Sequence, residues 1–324
     1  MNGQFVLSLD FEKIWGVFDS KPNGDYQKNL KSVDIIIDRL LNLSDQYGIK
    51  LTFATVGFLF NKDIESLIAN TPKILPTYTN EKLNPYLFIR KIKDFKNDDP
   101  QYFAYSSLQN IIKHGQHEIA SHTYSHYYCL EEGQNLDQFE EDLKMAKKVA
   151  QDIGVDLKSI VFPRNQVNVK YLKVCKEYGF ISYRGNENHS IYEAKSKQET
   201  KSLLHRFLRL ADAYINITGT HSHNLNAVKK NGLVDITSSS FFRPYNKNMS
   251  LLEPLKVNRV KKSMTRAAKN KELFHIWFHP HNFGVNTDKN FNNLEAIFKL
   301  YSKLNEKYHF EAATMSEVAL KLNS

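Results

Sequence analysis

Two histidines stand four residues apart in the segment HEIASHTYSH, which covers residues 117–126. Imidazoles at this spacing lie on one face of a helical turn, so His122 and His126 could bind a single cation. The pair follows HEIAS, a short run typical of a β-strand, which places it where a parallel strand leads into its helix. With twelve histidines in the chain this spacing also arises by chance, and two ordinary surface histidines are the alternative interpretation.

A metal site with two histidines needs a third ligand, preferably a carboxylate. The apolar segment FVLSLDFE ends in Asp10 and Glu12, whose spacing of two residues puts both on one side of an extended strand. An unpaired buried carboxylate is energetically costly, so two of them at this point favour a functional role. The alternative is that Asp10 caps the following turn and Glu12 faces solvent.

Two later segments also place polar residues directly after an apolar run. SIVFPRNQ has Arg164 and Asn165 after Pro163, and HIWFHPHN has His279 and His281 after an aromatic strand. A histidine in apolar surroundings is more often a hydrogen-bonded core residue than a catalyst. Because the carboxyl ends of parallel strands meet at one edge of a sheet or rim of a barrel, we expect these groups to converge.

Short β-branched or aromatic segments alternate with longer segments of helical period along the chain. The strand-like segments are FVLSLDF, LTFATVGFLF, HEIASHT, SIVFPRN, FISYRG, LFHIWFHP and FEAAT. This alternation predicts an α/β fold with parallel strands, either a barrel or a doubly wound sheet. Residues 61–113, approximately, interrupt it and predict a long insertion after the second strand, and residues near 187–203 predict a loop.

Length and composition limit the class of protein. The chain has 324 residues, of which 41% are hydrophobic and 24% charged, which suits a globular protein with a large core. No apolar run is long enough for a transmembrane helix, and MNGQ leaves no room for a signal peptide before the first strand. Since only Cys129 and Cys175 are present, no disulfide framework is expected, and we predict a cytoplasmic protein.

The formal net charge is +9, but the basic residues are scattered. The densest basic run, RVKKSMTRAAKNK at residues 259–271, has helical spacing and favours a solvated helix face. The alternative is a surface attracted to anionic lipid headgroups or to an anionic carrier on the substrate, with at most peripheral membrane contact. No nucleic-acid-binding motif accompanies the charge, so we predict no nucleic-acid partner.

Together these segments resemble the polysaccharide deacetylases, carbohydrate esterase family 4 with its NodB-homology domain. HEIASHTYSH resembles the second motif of the family, LSLDFE takes the place of the first, and WFHP resembles the later histidine motif. The similarity runs from about residue 5 to about residue 318. It implies one catalytic domain over residues 1–324, folded as a distorted (β/α)7-type barrel of parallel strands.

The resemblance also implies roles for individual residues. In the family the two histidines, here His122 and His126, bind a divalent cation, with Zn²⁺ favoured and Co²⁺, Ni²⁺ or Mn²⁺ as alternatives. Asp10 corresponds to the general base and His279 to the general acid. The family usually has two adjacent aspartates in its first motif, whereas some branches have D-x-[DE], and that pattern makes Glu12 the third ligand.

The third motif departs from the family, which places arginine before proline in R-x-P. Here Arg164 follows Pro163, so its role in orienting the base is left open. We assign Arg164, Asn165 and Trp277 as candidate substrate-binding or orienting residues, with stacking on a sugar and a place in the core both open for Trp277. A backbone N–H near Asn165 or Gln166 is the candidate donor to an oxyanion.

The predicted function is metal-dependent removal of an N-acyl group, N-acetyl being favoured, from a sugar of a cell-surface polysaccharide or glycolipid precursor. Because a cytoplasmic enzyme would meet sugars attached to nucleotides or lipids, the predicted partner is an N-acylated sugar with such a carrier. One alternative is hydrolysis of another linear or cyclic amide on the same fold, and another is a non-catalytic barrel that binds glycans. The sequence gives no indication of the oligomeric state.

Overall fold

One sheet of ten strands runs through the described part of the chain. The computed structural model describes residues 1–20, 25–91, 100–194, 196, 203–227, 229–230 and 232–323. The strands are β1 (Gln4–Phe11), β2 (Leu51–Thr55), β3 (Glu118–Ser121), β4 (Ser159–Ile160), β5 (Ser182–Tyr183), β6 (Lys229–Lys230), β7 (Leu233–Asp235), β8 (Ser240–Phe241), β9 (Leu273–Phe278) and β10 (Glu311–Ala312).

Helices connect most of these strands. Within the described residues they are α1 (Asp25–Lys31), α2 (Val33–Gln46), α3 (Ile64–Ala69), α4 (Pro85–Lys91), α5 (Tyr105–His114), α6 (Leu136–Gln151), α7 (Val169–Glu177), α8 (Leu203–Ile215), α9 (Glu253–Asn270), α10 (Thr287–Tyr308) and α11 (Met315–Asn323). The longer helices are amphipathic, and their apolar faces pack into a core shared with the sheet.

The order of the strands in the sheet is β6-β7-β5-β4-β3-β2-β1-β9-β8, and β10 pairs with the start of β1. Every pair is parallel except β6 with β7. β1 lies centrally and is buried at each of its positions, because strands cover both its edges. The sheet curls into an open barrel, which confirms the predicted α/β fold of the distorted (β/α)7 type.

The second predicted strand, LTFATVGFLF, is shorter than expected. β2 ends at Thr55, and Gly57–Phe60 form a 3₁₀ turn. The N–H of Gly57 donates to the carbonyl of Thr123 at 2.9 Å, and a Cβ at position 57 would lie 2.4 Å from Tyr124. This close backbone approach requires glycine, and it draws the chain out of the strand.

Several elements were not predicted. β6, β7 and β8 have two or three residues each, too few to show an alternating pattern, and α8 was given no assignment. In the predicted loop near 187–203 the structure has a 3₁₀ turn at Ser190–Tyr192, while residues 195 and 197–202 lie outside the described residues.

The predicted insertion at 61–113 lies between β2 and β3 and contains α3, α4 and α5, with residues 92–99 outside the described part. It packs against the chain that follows β1. The Lys13 ammonium donates to the carbonyl oxygens of Pro100 at 2.7 Å and Phe103 at 2.8 Å, and the Trp15 indole N–H donates to that of Tyr102 at 2.9 Å. The insertion therefore supports the residues that follow the central strand.

The basic run at 259–271 begins within α9. Lys262, Arg266 and Lys269 are exposed, while Met264 and Ala267 are buried against the core. This is the arrangement of a solvated helix face that the spacing favoured.

The segment that carries His122 and His126 is not helical, so the prediction of a helical turn is wrong. Thr123 and His126 have left-handed backbone conformations, with φ of 60° and 58°. Asp142 of α6 holds the turn, because its carboxylate accepts hydrogen bonds from the N–H groups of Tyr124 at 2.6 Å and Ser125 at 3.0 Å, and also from the Ser125 hydroxyl. The imidazoles are brought together by this irregular turn.

We expect Asp142→Asn to lower the free energy of unfolding by about 2–3 kcal/mol, because the amide cannot accept all the hydrogen bonds that the carboxylate accepts. Burial raises the pKa of Asp142 to about 6, so chemical denaturation is measured well above that pH, where the wild-type group is ionised. Asp137→Asn, an exposed position on the same helix, is the control and should cost less than about 1 kcal/mol. Equal losses in the two variants would contradict the anchoring role of Asp142.

Candidate active site

Two carboxylates lie at the carboxyl end of β1. Asp10 is the penultimate residue of the strand and Glu12 follows it, and they are only 3% and 4% exposed. Lys13 has a left-handed backbone (φ 46°) that turns the chain after Glu12, and its ammonium forms an ion pair with Asp34 at 2.8 Å. The central strand therefore delivers two buried acids to one end of the barrel.

Three imidazoles surround the carboxylate of Glu12. Its Oε2 lies 3.0 Å from Nε2 of His126 and 3.4 Å from Nε2 of His122, and its Oε1 lies 3.5 Å from Nε2 of His279. Burial raises the pKa of Glu12, but the surrounding imidazoles of His279, His122 and His126 outweigh it and hold the pKa well below its usual value. Glu12 is therefore an anion in this site.

The hydrogen bonds of His122 indicate which nitrogen is free. Nδ1 lies 2.8 Å from the carbonyl oxygen of Val161 and must donate to it, so in the neutral ring Nε2 carries the lone pair. That buried Nε2 has no hydrogen-bond partner among the described residues, and it faces the carboxylate of Glu12.

A lone pair that faces an anion in a buried site calls for a cation between them. Two imidazoles and one carboxylate are a donor set that zinc and similar divalent cations prefer, with further positions open to water or substrate. Glu12, His122 and His126 lie close enough together to coordinate one ion. These residues fit a divalent cation.

Asp10 is held by Arg184 in a buried bidentate ion pair. The two guanidinium nitrogens Nη1 and Nη2 lie 2.6 Å and 2.8 Å from Oδ1 and Oδ2 of Asp10. Arg184 also donates to the side-chain oxygen of Asn165 at 2.7 Å and packs its guanidinium 4.2 Å from the centre of the Trp277 ring. Burial raises the pKa of Asp10, but Arg184 outweighs it, so the pKa lies below its usual value.

A buried histidine continues this network behind Arg184. Arg184 donates to the Ser8 hydroxyl oxygen at 3.0 Å, and that hydroxyl lies 2.8 Å from Nε2 of His275. Nδ1 of His275 donates to the carbonyl of Ile236 at 2.9 Å, which leaves Nε2 as the acceptor from Ser8. Burial lowers the pKa of His275 to about 3, so the ring is neutral and this orientation of the hydroxyl is fixed.

His279 lies between the two carboxylates. Its Nε2 is 3.7 Å from Oδ2 of Asp10, and its Nδ1 is 3.4 Å from the side-chain nitrogen of Asn282. His281 belongs to the core instead, because it is buried, its Nε2 contacts the Tyr26 hydroxyl at 3.0 Å, and burial lowers its pKa to about 3.

The residues assigned from the sequence meet around one cavity of about 570 Å³. Its lining includes Asp10, Glu12, His126, Arg164, Asn165, Trp277 and His279, while His122 contacts Glu12 from below the surface. Trp277 is only 9% exposed, since Arg184 covers its ring and Phe241 lies 4.6 Å away, so it mainly supports Arg184. The structure thus brings together side chains from the first strand, the middle and the last third of the chain.

The third motif shows neither of the two roles considered for it, orienting the base and holding an oxyanion. Arg164 donates to Asp19 at 2.6 Å and stacks over Tyr128, whereas Arg184 contacts Asp10. The backbone N–H groups of Asn165 and Gln166 donate to carbonyl oxygens of their own turn at 2.9 and 3.1 Å, so neither is free to hold an oxyanion.

Arg184 is the functional residue that the sequence analysis missed. It is the penultimate residue of the segment FISYRG, directly after β5, so it follows a strand as the other site residues do. That positional signal could have identified it. Its contact with Asp10, 174 residues away in sequence, could not be read from either segment.

A second group of candidate metal ligands lies at the amino ends of β2 and β3, where His114 and His117 surround Asp45. His117 accepts a hydrogen bond through Nδ1 from the N–H of Leu51 at 3.2 Å, so its Nε2 carries the proton of the neutral ring. Nε2 therefore has no lone pair to offer a cation, and His117 cannot complete a metal site with Asp45 and His114.

The family model for polysaccharide deacetylases matches residues 12–182, a region that includes Glu12, His122 and His126. The chain belongs to the polysaccharide deacetylase family. The matched region ends two residues before Arg184 and does not reach His279. No curated protein matches the chain in sequence. No helix among the described residues is both long and apolar enough to span a lipid bilayer.

Solved structures of similar fold extend the likeness over nearly the whole chain. A Mycobacterium smegmatis protein assigned to the polysaccharide deacetylases is 14% identical, covers 99% of this chain and 90% of its own, and gives a TM-score of 0.61. The allantoinase PuuE is 11% identical over 98% of this chain and 89% of its own, with a TM-score of 0.55. A Pseudomonas aeruginosa PAO1 protein, also assigned to the polysaccharide deacetylases, is 11% identical over 98% of this chain and 89% of its own, with a TM-score of 0.54. At these identities the likeness shows the fold of the family.

We expect Gly16→Ala to lower the affinity for a divalent cation, because a Cβ at this position would lie 2.1 Å from the carboxylate of Glu12 and push it away from the imidazoles. Metal content of the purified protein, measured by elemental analysis, checks this. Gly154→Ala is the control, since it strains a left-handed turn (φ 79°) with nothing nearby for the new Cβ to contact. It should lose stability and keep its metal; equal metal loss in both variants would contradict the local effect.

Proposed function

We propose that this chain is a metal-dependent hydrolase that removes an N-acyl group, N-acetyl being favoured, from a sugar of a cell-surface polysaccharide or glycolipid precursor. Membership of the polysaccharide deacetylase family supports a hydrolase. The observation that carries the proposal is the position of the Glu12 carboxylate against His122 and His126, beside the Asp10–Arg184 ion pair.

The cation would be held by Glu12, His122 and His126, with Zn²⁺ favoured and Co²⁺, Ni²⁺ or Mn²⁺ as alternatives. Bound there, it would supply Lewis acidity that polarises the acyl carbonyl and makes a water molecule more acidic. The hydrogen bond from His122 to Val161 fixes the ring so that Nε2 faces the site.

Asp10 would act as the general base. Its carboxylate is kept ionised and oriented by Arg184, so it can accept a proton from the water whose oxygen attacks the acyl carbon. Arg184 is a positioning residue in this mechanism, because it contacts the base and is itself buried behind it.

His279 would act as the general acid. When the C–N bond breaks, the nitrogen of the sugar needs a proton, because an amide anion is too basic to leave. Nε2 of His279 lies 3.7 Å from Oδ2 of Asp10 and is partly exposed to the cavity, so acid and base can serve the same tetrahedral centre. The products are a free amine and a carboxylate.

The size of the cavity and the state of the two cysteines also support a small acylated sugar as substrate. A cavity of about 570 Å³ is within the range that small ligands occupy. Cys129 and Cys175 are both free and buried, which supports the proposal that the protein acts in the cytoplasm, where nucleotide-linked or lipid-linked sugars are made.

The alternative of another amide substrate is kept because the allantoinase PuuE shares the fold. Colorimetric or mass-spectrometric assay of N-acetyl, N-formyl and cyclic ureide substrates separates the two: acetate release from an N-acetyl sugar supports the proposal, and turnover of the ureide alone would replace it. Metal binding without any turnover would favour a glycan-binding barrel.

For Asp10→Asn we expect turnover to fall by about 10²–10⁴, because the amide cannot accept a proton, while bound metal stays near the wild-type level. Acetate release and elemental analysis are measured on the same preparation. A variant that keeps most of its turnover would remove Asp10 as the base.

For His126→Ala we expect loss of both metal and turnover, because one of two imidazole ligands is removed. His309→Ala changes a histidine at the C-terminal end of α10 and is the control, with metal content expected to be unchanged. Wild-type metal stoichiometry in His126→Ala would exclude it as a ligand.

A further inference from the structure

Three more arginines line the cavity and have no role in the mechanism above. Arg206 and Arg209 are on α8, and Arg243 follows β8. All three line the cavity that also contains Asp10 and Glu12. They form a basic wall beside the candidate catalytic residues.

The arginines of this wall have few partners among the described residues, where the Nε–H of Arg209 donates to the carbonyl of Ile191. In the part of the chain that the structure describes, no carboxylate forms an ion pair with Arg206, Arg209 or Arg243, although Glu187 and Glu193 line the same cavity. The two deeper arginines of the cavity differ in this respect, because each is paired with an aspartate. The three guanidinium groups of the basic wall are therefore available to an anion that enters the cavity, beside the carboxylates of Glu187 and Glu193.

Arg243 is the member of the wall that lies beside the aromatic side chains near His279. It is half-buried, and its guanidinium lies 5.6 Å from the centre of the Phe241 ring, which in turn lies 5.7 Å from the ring of His279. Burial lowers the pKa of Arg243, and the nearby charge of Arg209 lowers it further, yet a guanidinium remains charged at neutral pH. Two like charges close together, one of them partly desolvated, are stabilised when an anion binds between them.

We propose that Arg206, Arg209 and Arg243 bind a phosphate or pyrophosphate group that is covalently attached to the N-acylated sugar. This inference rests on the proposed function, because it identifies the substrate class of the same site. One carboxylate is satisfied by a single bidentate arginine, whereas phosphate and pyrophosphate offer several anionic oxygens to several guanidinium groups. A neutral glycan would offer these three guanidinium groups no anionic partner.

The phosphate could be carried by a nucleotide or by a lipid. Leu204 and Phe207 lie on α8 on either side of Arg206 in sequence, and their side chains are 63% and 64% exposed. The two side chains share a face of α8 outside the cavity lining, where a lipid tail that leaves the cavity would have apolar surface to contact, whereas a nucleotide would not need it. The shared chemistry is the phosphate group, and the experiment below distinguishes the two sources.

The binding test uses the full-length protein and inorganic pyrophosphate as the probe, titrated by calorimetry at low ionic strength. Arg243→Gln and Arg206→Gln should each weaken binding by on the order of tenfold, since each removes charge-assisted hydrogen bonds. Arg206 is exposed, so its substitution leaves the fold intact. Arg266→Gln removes the same charge from an exposed position of α9 outside the cavity and should bind as the wild type does.

The same titration on His126→Ala separates binding at the basic wall from binding to a metal, and affinity should be unchanged there. Affinity that is unaffected by Arg243→Gln and Arg206→Gln, or that is lost in His126→Ala, would overturn the inference. Because pyrophosphate binding needs no turnover, this result is independent of whether the chain hydrolyses an amide.

The activity test compares an N-acetyl sugar joined to a diphosphate with the neutral sugar. We expect the wild type to favour the phosphorylated substrate by at least about tenfold in kcat/KM, through KM, and Arg243→Lys to retain part of that preference because it keeps the charge. Turnover of both substrates with no preference would leave the proposed function standing and refute the phosphate subsite. Pyrophosphate binding with no turnover of either substrate would leave the phosphate subsite standing and refute the proposed function.

The source is identified with a nucleotide-linked and a polyprenyl-linked form of the sugar, the latter in vesicles. Leu204→Ser and Phe207→Ser should reduce turnover of the lipid-linked form alone if a lipid is the carrier. No effect on either form, with the nucleotide-linked sugar turned over, assigns the nucleotide. Each of these results supports the phosphate subsite, and turnover of neither form by a protein that does hydrolyse the neutral sugar counts against it.

Discussion

Two carboxylates buried side by side impose the main constraint on this molecule. Asp10 and Glu12 come from the end of a strand that is covered on both edges, so water cannot solvate them and the protein must supply cations. Arg184 neutralises Asp10, and the imidazoles of His122 and His126 surround Glu12. Because removing one partner from a buried ion pair typically costs several kcal/mol, the loops that carry these partners are fixed wherever the central strand is fixed.

This constraint explains the irregular backbone around the site. A regular helix after β3 would not need the left-handed residues Thr123 and His126, but these conformations let both imidazoles turn toward Glu12. Such conformations are unfavourable for ordinary side chains, and the carboxylate of Asp142 compensates by accepting the N–H groups of the turn. On the other side of the site, Arg184 donates a hydrogen bond to Ser8, and the Ser8 hydroxyl donates to the neutral ring of His275. These bonds fix Arg184, and Arg184 in turn orients Asp10.

The α/β class and the positions of many site residues followed from local patterns, because strand-then-polar segments recur where parallel strands end, whereas the (β/α)7 barrel and the residue roles followed from the family resemblance. That pattern located Asp10, Glu12, Asn165 and His279, and the histidine spacing located His122 and His126. The predictions that were wrong concern features that depend on contacts between residues distant in sequence. Whether Arg164 or Arg184 would reach Asp10 depends on how the sheet curls, and the irregular turn depends on Asp142 from another helix. Strands of two or three residues carry too little periodicity to be read alone, whereas α8 is amphipathic and its periodicity could have predicted it.

The chain has two tryptophans, and each is tied to a different side of the central strand's end. Trp15 is fully buried against Phe58 and donates its indole N–H to Tyr102, whereas Trp277 lies under the guanidinium of Arg184. Their intrinsic fluorescence therefore reports on two environments, both of them close to the end of β1 that carries Asp10 and Glu12. An unlabelled sample consequently contains its own optical reporters for the ordering of this centre, one sensitive to the packing after β1 and the other to the charge beside it.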